Sequence, residues 1–429
     1  MESQRSSPSR TRVCDGRKRR SGTKLVESAR TWSCSVIRLS PKPDSPTRDR
    51  LHERERGADR VEGHRPRRRL AAAVLVTTFG ALACSSPVRA ENRVIDVRAA
   101  VDQLYRPAHA RLAAASQSLL DSSLRLCRAV TAGENERSTG AALMESRERF
   151  LETVAAFSGV ELLRVGPIME ENRLYRLFYW PDTRRATERQ LRELLGGMER
   201  ELEPSDVRTL ADRSVAVQGM PALERLLFTT VLTDVRLSTV GCALSLDIAR
   251  NVSLLANELA SEWNGEAGIV EILLRPHADS PLFRSDEEVT RSIFAQLSTG
   301  LERVATRKIG PMTDEGFRWR EAPFARSGAT LINLRGNLDS MQSLLEVTRM
   351  VDRTLLGHEV RFEFDVGRSH LDALAELQGL ATPGGMIVPA ARERMELLQR
   401  VVAGLAATVT DRIGPILRVS AGLNRLDGD

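Results

Sequence analysis

From Val97 onward, apolar residues recur mostly three and four apart: Val101, Leu104, Ala108, Leu112, Ala115, Leu119 and Leu126. That period buries one stripe of a helix and does not suit a strand, whose side chains alternate with a period of two. Pro107 lies inside the stretch and is expected to kink it or split off its first turns. The pattern runs to about Val130, and Gly133-Glu134-Asn135 ends it. The same reasoning predicts helices over 141–163, 186–202, from about 204, after Pro221, and over 232–263, 286–307, 328–356, 368–380 and 390–410. Strand candidates are weak, such as Arg361-Phe362-Glu363-Phe364-Asp365-Val366. Long helices joined by short Pro/Gly breaks, in a chain with 4% aromatics, give an all-α fold.

Charge separates the first fifth of the chain from the rest. Residues 1–90 carry 21 Lys+Arg and 9 Asp+Glu, or +12, which leaves 42 against 48, or −6, for residues 91–429. A net-negative globular part repels phosphate, so no nucleic-acid partner is expected. Residues 1–60 are rich in Arg, Ser and Pro without apolar period, and read as disordered. Arg65-Pro66-Arg67-Arg68-Arg69, the apolar run from Leu70 to Ala83 and Val88-Arg89-Ala90 then form a signal peptide over 61–90.

A signal of this kind belongs at a chain start. Translation from near Val61 is therefore expected, with an unusually long n-region as the alternative. Cleavage after Ala90 would leave Glu91 as the mature N-terminus in the periplasm or cell envelope, without a transmembrane helix. A lipid anchor at Cys84, in the loose box Ala81-Leu82-Ala83-Cys84, is the second choice. The mature chain keeps two cysteines, Cys127 and Cys242. Export favours one disulfide between them; two buried free thiols are the alternative.

The triplet Arg164-Val165-Gly166-Pro167, Lys308-Ile309-Gly310-Pro311 and Arg412-Ile413-Gly414-Pro415 repeats one helix-stop pattern, either by coincidence or from duplicated bundles. Zinc-peptidase, Cys-x-x-Cys, phosphate-loop and nucleophile-elbow motifs are missing from the sequence. The four histidines after residue 91, His109, His277, His358 and His370, are widely scattered.

Gly219-Met220-Pro221-Ala222-Leu223-Glu224 stands out. Pro221 suits the first turn of a helix, and Glu224 suits the positive end of its dipole, so capping alone accounts for the segment. The segment also resembles the imelysin signature Gly-x-His-x-x-Glu, with Pro221 in the His place and Gly219 and Glu224 in register. A branch of imelysin-like envelope proteins is similar in further landmarks: Gly166-Pro167, Trp180-Pro181-Asp182, Arg326-Ser327-Gly328 followed by Thr330 and Leu331, Cys127 and Cys242, and the ending Gly422-Leu423-Asn424-Arg425-Leu426-Asp427-Gly428-Asp429.

The resemblance implies two packed helical bundles, here placed at 91–265 and 266–429, with Gly219, Pro221, Glu224, Trp180, Asp182, Arg326 and Ser327 about a cleft between them. It implies an exported protein associated with iron or another di- or trivalent metal, weakly bound at Glu224 and Asp182, with Asp427 and Asp429 as further oxygen donors. Partners would be envelope or iron-uptake proteins. Loss of the imidazole at Pro221 argues against catalysis. A peptidase using Glu224, and an envelope interaction protein whose motif is purely structural, are the alternatives.

Overall fold

The computed structural model describes residues 95–201, 210–228, 235–351 and 354–419. The signal segment, the start of the helix expected near 204, and Asp427 and Asp429 lie outside these residues. Within them the fold is all-α. Ten helices organise it: α1 (Arg106–Thr131), α2 (Glu136–Ser158), α3 (Ala186–Glu201), α4 (Met220–Leu227), α5 (Val235–Asn264), α6 (Ile269–Leu274), α7 (Asp286–Arg303), α8 (Thr330–Val347), α9 (Leu355–Ala375) and α10 (Pro389–Thr408). Sheet is limited, among the described residues, to the isolated bridges Arg318–Met386 and Ala381–Ile387.

Two bundles result. In the first, α1 packs along both α5 and α2, with α3 and α4 against α5; in the second, α7, α8, α9 and α10 pack together. Helices α2 and α8 join them. Their close approach needs Gly336, because a Cβ there would stand 2.5 Å from Ser158 Cβ. A single hydrophobic core runs through both bundles. Cys127 on α1 and Cys242 on α5 form a disulfide with Cα atoms 5.4 Å apart. Thr239–Asn264 is long and apolar enough to cross a membrane, but most of it is buried in the first bundle, the character of a core helix.

The expected strand is corrected. Residues 361–366 lie inside α9, which buries Val360, Phe364, Gly367, Leu371 and Leu374 and leaves Phe362 68% exposed. Spacings of three and four therefore prevail over the local alternation. Near Pro107 the chain does divide: Val97–Ala100 is α-helical, Val101–Tyr105 forms a π turn, and α1 follows. Two of the three repeated stops share this device. Val304–Ile309 and Val409–Ile413 are π turns leading into short Gly-Pro helices. The third differs, with Val165 extended and Gly166 at φ +64°.

Candidate functional site

Gly219 precedes α4 and lies against the preceding short helix Arg173–Leu177. A Cβ at this position would fall 2.3 Å from the Leu177 carbonyl oxygen and 2.4 Å from that of Arg176. Only glycine allows that approach. Pro221 then occupies the first turn of α4, where its missing N–H costs no helical hydrogen bond.

One turn on, Glu224 is only 3% exposed. Its Oε1 accepts from the backbone N–H of Ser327 at 2.9 Å and lies 2.7 Å from the Ser327 hydroxyl. The partner is 103 residues away, in the loop that leads into α8. Burial pushes the Glu224 carboxyl above its usual range, against the pull of the Ser327 donors and the charges of Arg326 and Arg225.

Ser327 can serve both forms of the carboxyl. Its Oγ is also 3.1 Å from the Phe324 carbonyl oxygen. With Glu224 ionised, the single hydroxyl proton goes to Glu224. With Glu224 protonated, Glu224 donates to Ser327 Oγ, and Ser327 donates to Phe324. Thr330 secures the same loop by donating to the Pro323 carbonyl at 2.8 Å.

Asp182 is engaged differently. It caps the start of α3, accepting from Ala186 N–H at 2.7 Å and Thr187 N–H at 3.0 Å. Its Oδ2 also faces Arg225 at 3.7 Å. Arg225 donates to the Pro221 carbonyl at 3.0 Å. Trp180 Nε1 donates to the Glu321 carbonyl at 3.0 Å, tying the first bundle to the loop that carries Ser327. Its ring stacks on Phe178, which stacks in turn on Phe324 at 4.9 Å.

The singled-out residues that are described thus meet at one junction, and among them no metal centre of three or more ligands is formed. Glu224 and Asp182 direct their oxygens to different donors, Ser327 and the N–H groups that start α3. Arg225 stands next to both, and each carboxylate already has N–H donors. Among the described residues no group of three or more His, Cys, Asp or Glu side chains could hold a metal. A donor set of one buried carboxylate with two adjoining guanidiniums does not suit a cation.

Sequence reasoning missed a second polar cluster nearby. Lys308 Nζ donates to Glu161 at 2.7 Å and to the amide oxygens of Asn333 and Asn337 at 2.6 Å each. Both amide groups also donate to Glu161. All four residues are buried. Lys308 also lies 5.6 Å from the Phe178 ring centroid, and that ring stacks on Phe324. The available signals were the Lys308-Ile309-Gly310-Pro311 repeat and the i, i+4 spacing of Asn333 and Asn337.

The family model described as Imelysin matches residues 105–410. The chain belongs to the imelysin family. No curated protein matches it. Among solved structures, an imelysin-like protein from Psychrobacter arcticum 273-4 is similar, with 16% identity and a TM-score of 0.62 over 78% of this chain and 98% of that one. A protein from Parabacteroides distasonis ATCC 8503, named an iron-regulated protein A precursor, shares 13% identity and a TM-score of 0.55 over 75% of this chain and 93% of that one. At these identities the likeness carries the imelysin fold alone.

Proposed function

We propose that this imelysin-family chain is an exported, non-catalytic binding protein of the bacterial cell envelope. The observation that carries this reading is the use of Glu224: the signature carboxylate is buried and bonded to Ser327, while Pro221 stands where the signature has His. A metallopeptidase needs a metal-bound water and a base with free access to substrate. Neither role is open to a carboxylate so enclosed, with no imidazole beside it.

Export is supported by the Arg-rich, apolar and Val-Arg-Ala sequence ending at Ala90, and by the Cys127–Cys242 disulfide, which suits an oxidising compartment. The iron setting is part of the proposal and is supported by the name of the Parabacteroides protein alone; envelope iron-uptake proteins are the partners proposed, with no iron assigned to Glu224.

The test is a peptide-cleavage assay on the exported protein, with and without added zinc, manganese or iron, run beside Glu224→Gln. No cleavage above background is expected from either form. Turnover present in the wild type and lost in Glu224→Gln would overturn the reading.

A further inference from the structure

Glu224 and Ser327 each have an arginine as a chain neighbour, and their hydrogen bonds bring Arg225 and Arg326 to the same junction. Like charges at such a place repel unless something negative lies between them. The acidic groups present are committed elsewhere: Asp182 caps α3, Glu224 is buried on Ser327, and Glu188, whose charge also reaches Arg225, pairs with Arg192 at 2.8 Å.

The junction also has spare donors. Arg326 is half-buried, and among the described residues its guanidinium has no hydrogen-bond or ion-pair partner. Arg225 has only the Pro221 carbonyl and the 3.7 Å approach to Asp182, and its buried Nε is unpaired. Thr187 donates its N–H to the same Asp182 oxygen that faces Arg225, yet its fully buried hydroxyl has no partner. Buried polar groups are nearly always paired, so two buried unpaired groups beside Asp182, the Arg225 Nε and the Thr187 hydroxyl, mark a place short of partners. What is missing is an oxygen-rich anion. Guanidinium groups match that chemistry, because their planar N–H forks bind carboxylate or phosphate oxygens in pairs.

We propose that Arg225 and Arg326, at the junction of α4 with the loop before α8, form a binding site for an oxyanion group, a carboxylate or a phosphate, of the ligand this protein carries. This rests on the non-catalytic binding reading and names the chemistry it would recognise. Arg326 supplies the accessible fork. Arg225, held by Pro221 and Asp182, supplies the fixed charge, and Glu224 holds Ser327, and so Arg326, in register.

Calorimetric titration of the full chain at low ionic strength tests this, with inorganic phosphate in one arm and succinate in the other. Arg326→Ala and Arg326→Gln are the site variants, and Arg320→Ala, exposed in the same loop, is the control. Melting curves confirm that each is folded. The wild type is expected to bind at least one anion saturably, and the better one identifies the oxyanion class. Both Arg326 variants should weaken binding roughly 10-fold or more, the loss of a charge-assisted fork, with Arg320→Ala within about twofold of wild type. The proposal is overturned if neither anion saturates below about 10 mM, a range weaker than ordinary ligand affinities. It is also overturned if the Arg326 variants bind like wild type, or if Arg320→Ala loses as much. A flat titration leaves the non-catalytic reading standing, whereas peptide cleavage would overturn that reading and leave the titration unchanged.

Discussion

Lys308 Nζ lies 2.7 Å from Glu161 Oε2 across 147 residues of sequence, fully inside the protein where the two bundles meet. Glu161 follows α2, Lys308 lies in the π turn after α7, and Asn333 and Asn337 on α8 complete the shell. Burial pushes the Glu161 carboxyl up, but the Lys308 ammonium and the amide donors more than offset this and hold it below the usual range. Burial lowers the Lys308 ammonium in turn, against the pull of Glu161, so each charge depends on the other.

Removing one partner is expected to cost more than removing both. Lys308→Met should destabilise by about 3–5 kcal/mol, because it strands Glu161 as a buried carboxylate. Adding Glu161→Gln should recover much of that, with a coupling of about 2 kcal/mol in a double-mutant cycle read by urea unfolding. Additive losses would contradict the pairing.

The Cys127–Cys242 bridge closes a long loop, with a sequence separation of 115. Cross-linking of that length limits the unfolded chain and contributes about 5 kcal/mol in the chain-entropy model. Cys242→Ser, or reduction, should lower the urea midpoint accordingly. An unchanged midpoint would show that the bridge does not constrain the unfolded state.

His109 gives the fold an acid-sensitive point. Its ring is stacked near Trp263, Nδ1 lies 2.8 Å from the Tyr105 carbonyl, and Nε2 has no partner. Burial lowers its pKa from 6.5 to about 4, with the Tyr105 carbonyl opposing. Between those values the unfolded chain binds a proton that the native chain does not. Stability is thus lost as pH falls through that window, by up to about 3 kcal/mol. His109→Phe should flatten the fall between pH 6 and 4, measured by urea unfolding at each pH. A slope equal to wild type would remove His109 from the account.

Glu224 acts in the opposite direction. Its carboxyl is raised, so the native state keeps a proton that the unfolded chain releases, and stability falls as pH rises above the ordinary carboxyl range. Glu224→Gln keeps an acceptor for the Ser327 N–H and removes that titration. It should be at least as stable as wild type near neutral pH. Glu224→Ala leaves the Ser327 N–H unpaired and should cost about 1–3 kcal/mol. Melting curves between pH 5 and 8 check both; a strongly destabilised Glu224→Gln would mean that the ionised carboxylate is what the site needs.

Most helices were legible because burial on one face leaves a period in the sequence, but the first half of α9 was missed, because Phe362, Phe364 and Val366 imitate a strand. Val360, Gly367, Leu371 and Leu374 carry the longer pattern that decides the matter. The motif Gly219 to Glu224 was legible as a helix start, and the need for glycine lies in the Leu177 carbonyl that passes it. The resemblance put Glu224 and Ser327 about one cleft, but their bond itself was not legible, since nothing local in either segment encodes a partner 103 residues away. Lys308 and Glu161 were hidden for a related reason. A charged residue reads as solvated surface until its partner is known, and only the fold brings the two together.

In the proposed function Glu224 is a structural link and not a metal ligand. Metal content of the full chain, purified without chelator and measured by inductively coupled plasma mass spectrometry, tests this most directly alongside Glu224→Ala. Well under one zinc, iron, manganese or calcium per chain is expected, and the same small amount in both proteins. One tightly held metal per chain, lost in Glu224→Ala, would contradict it.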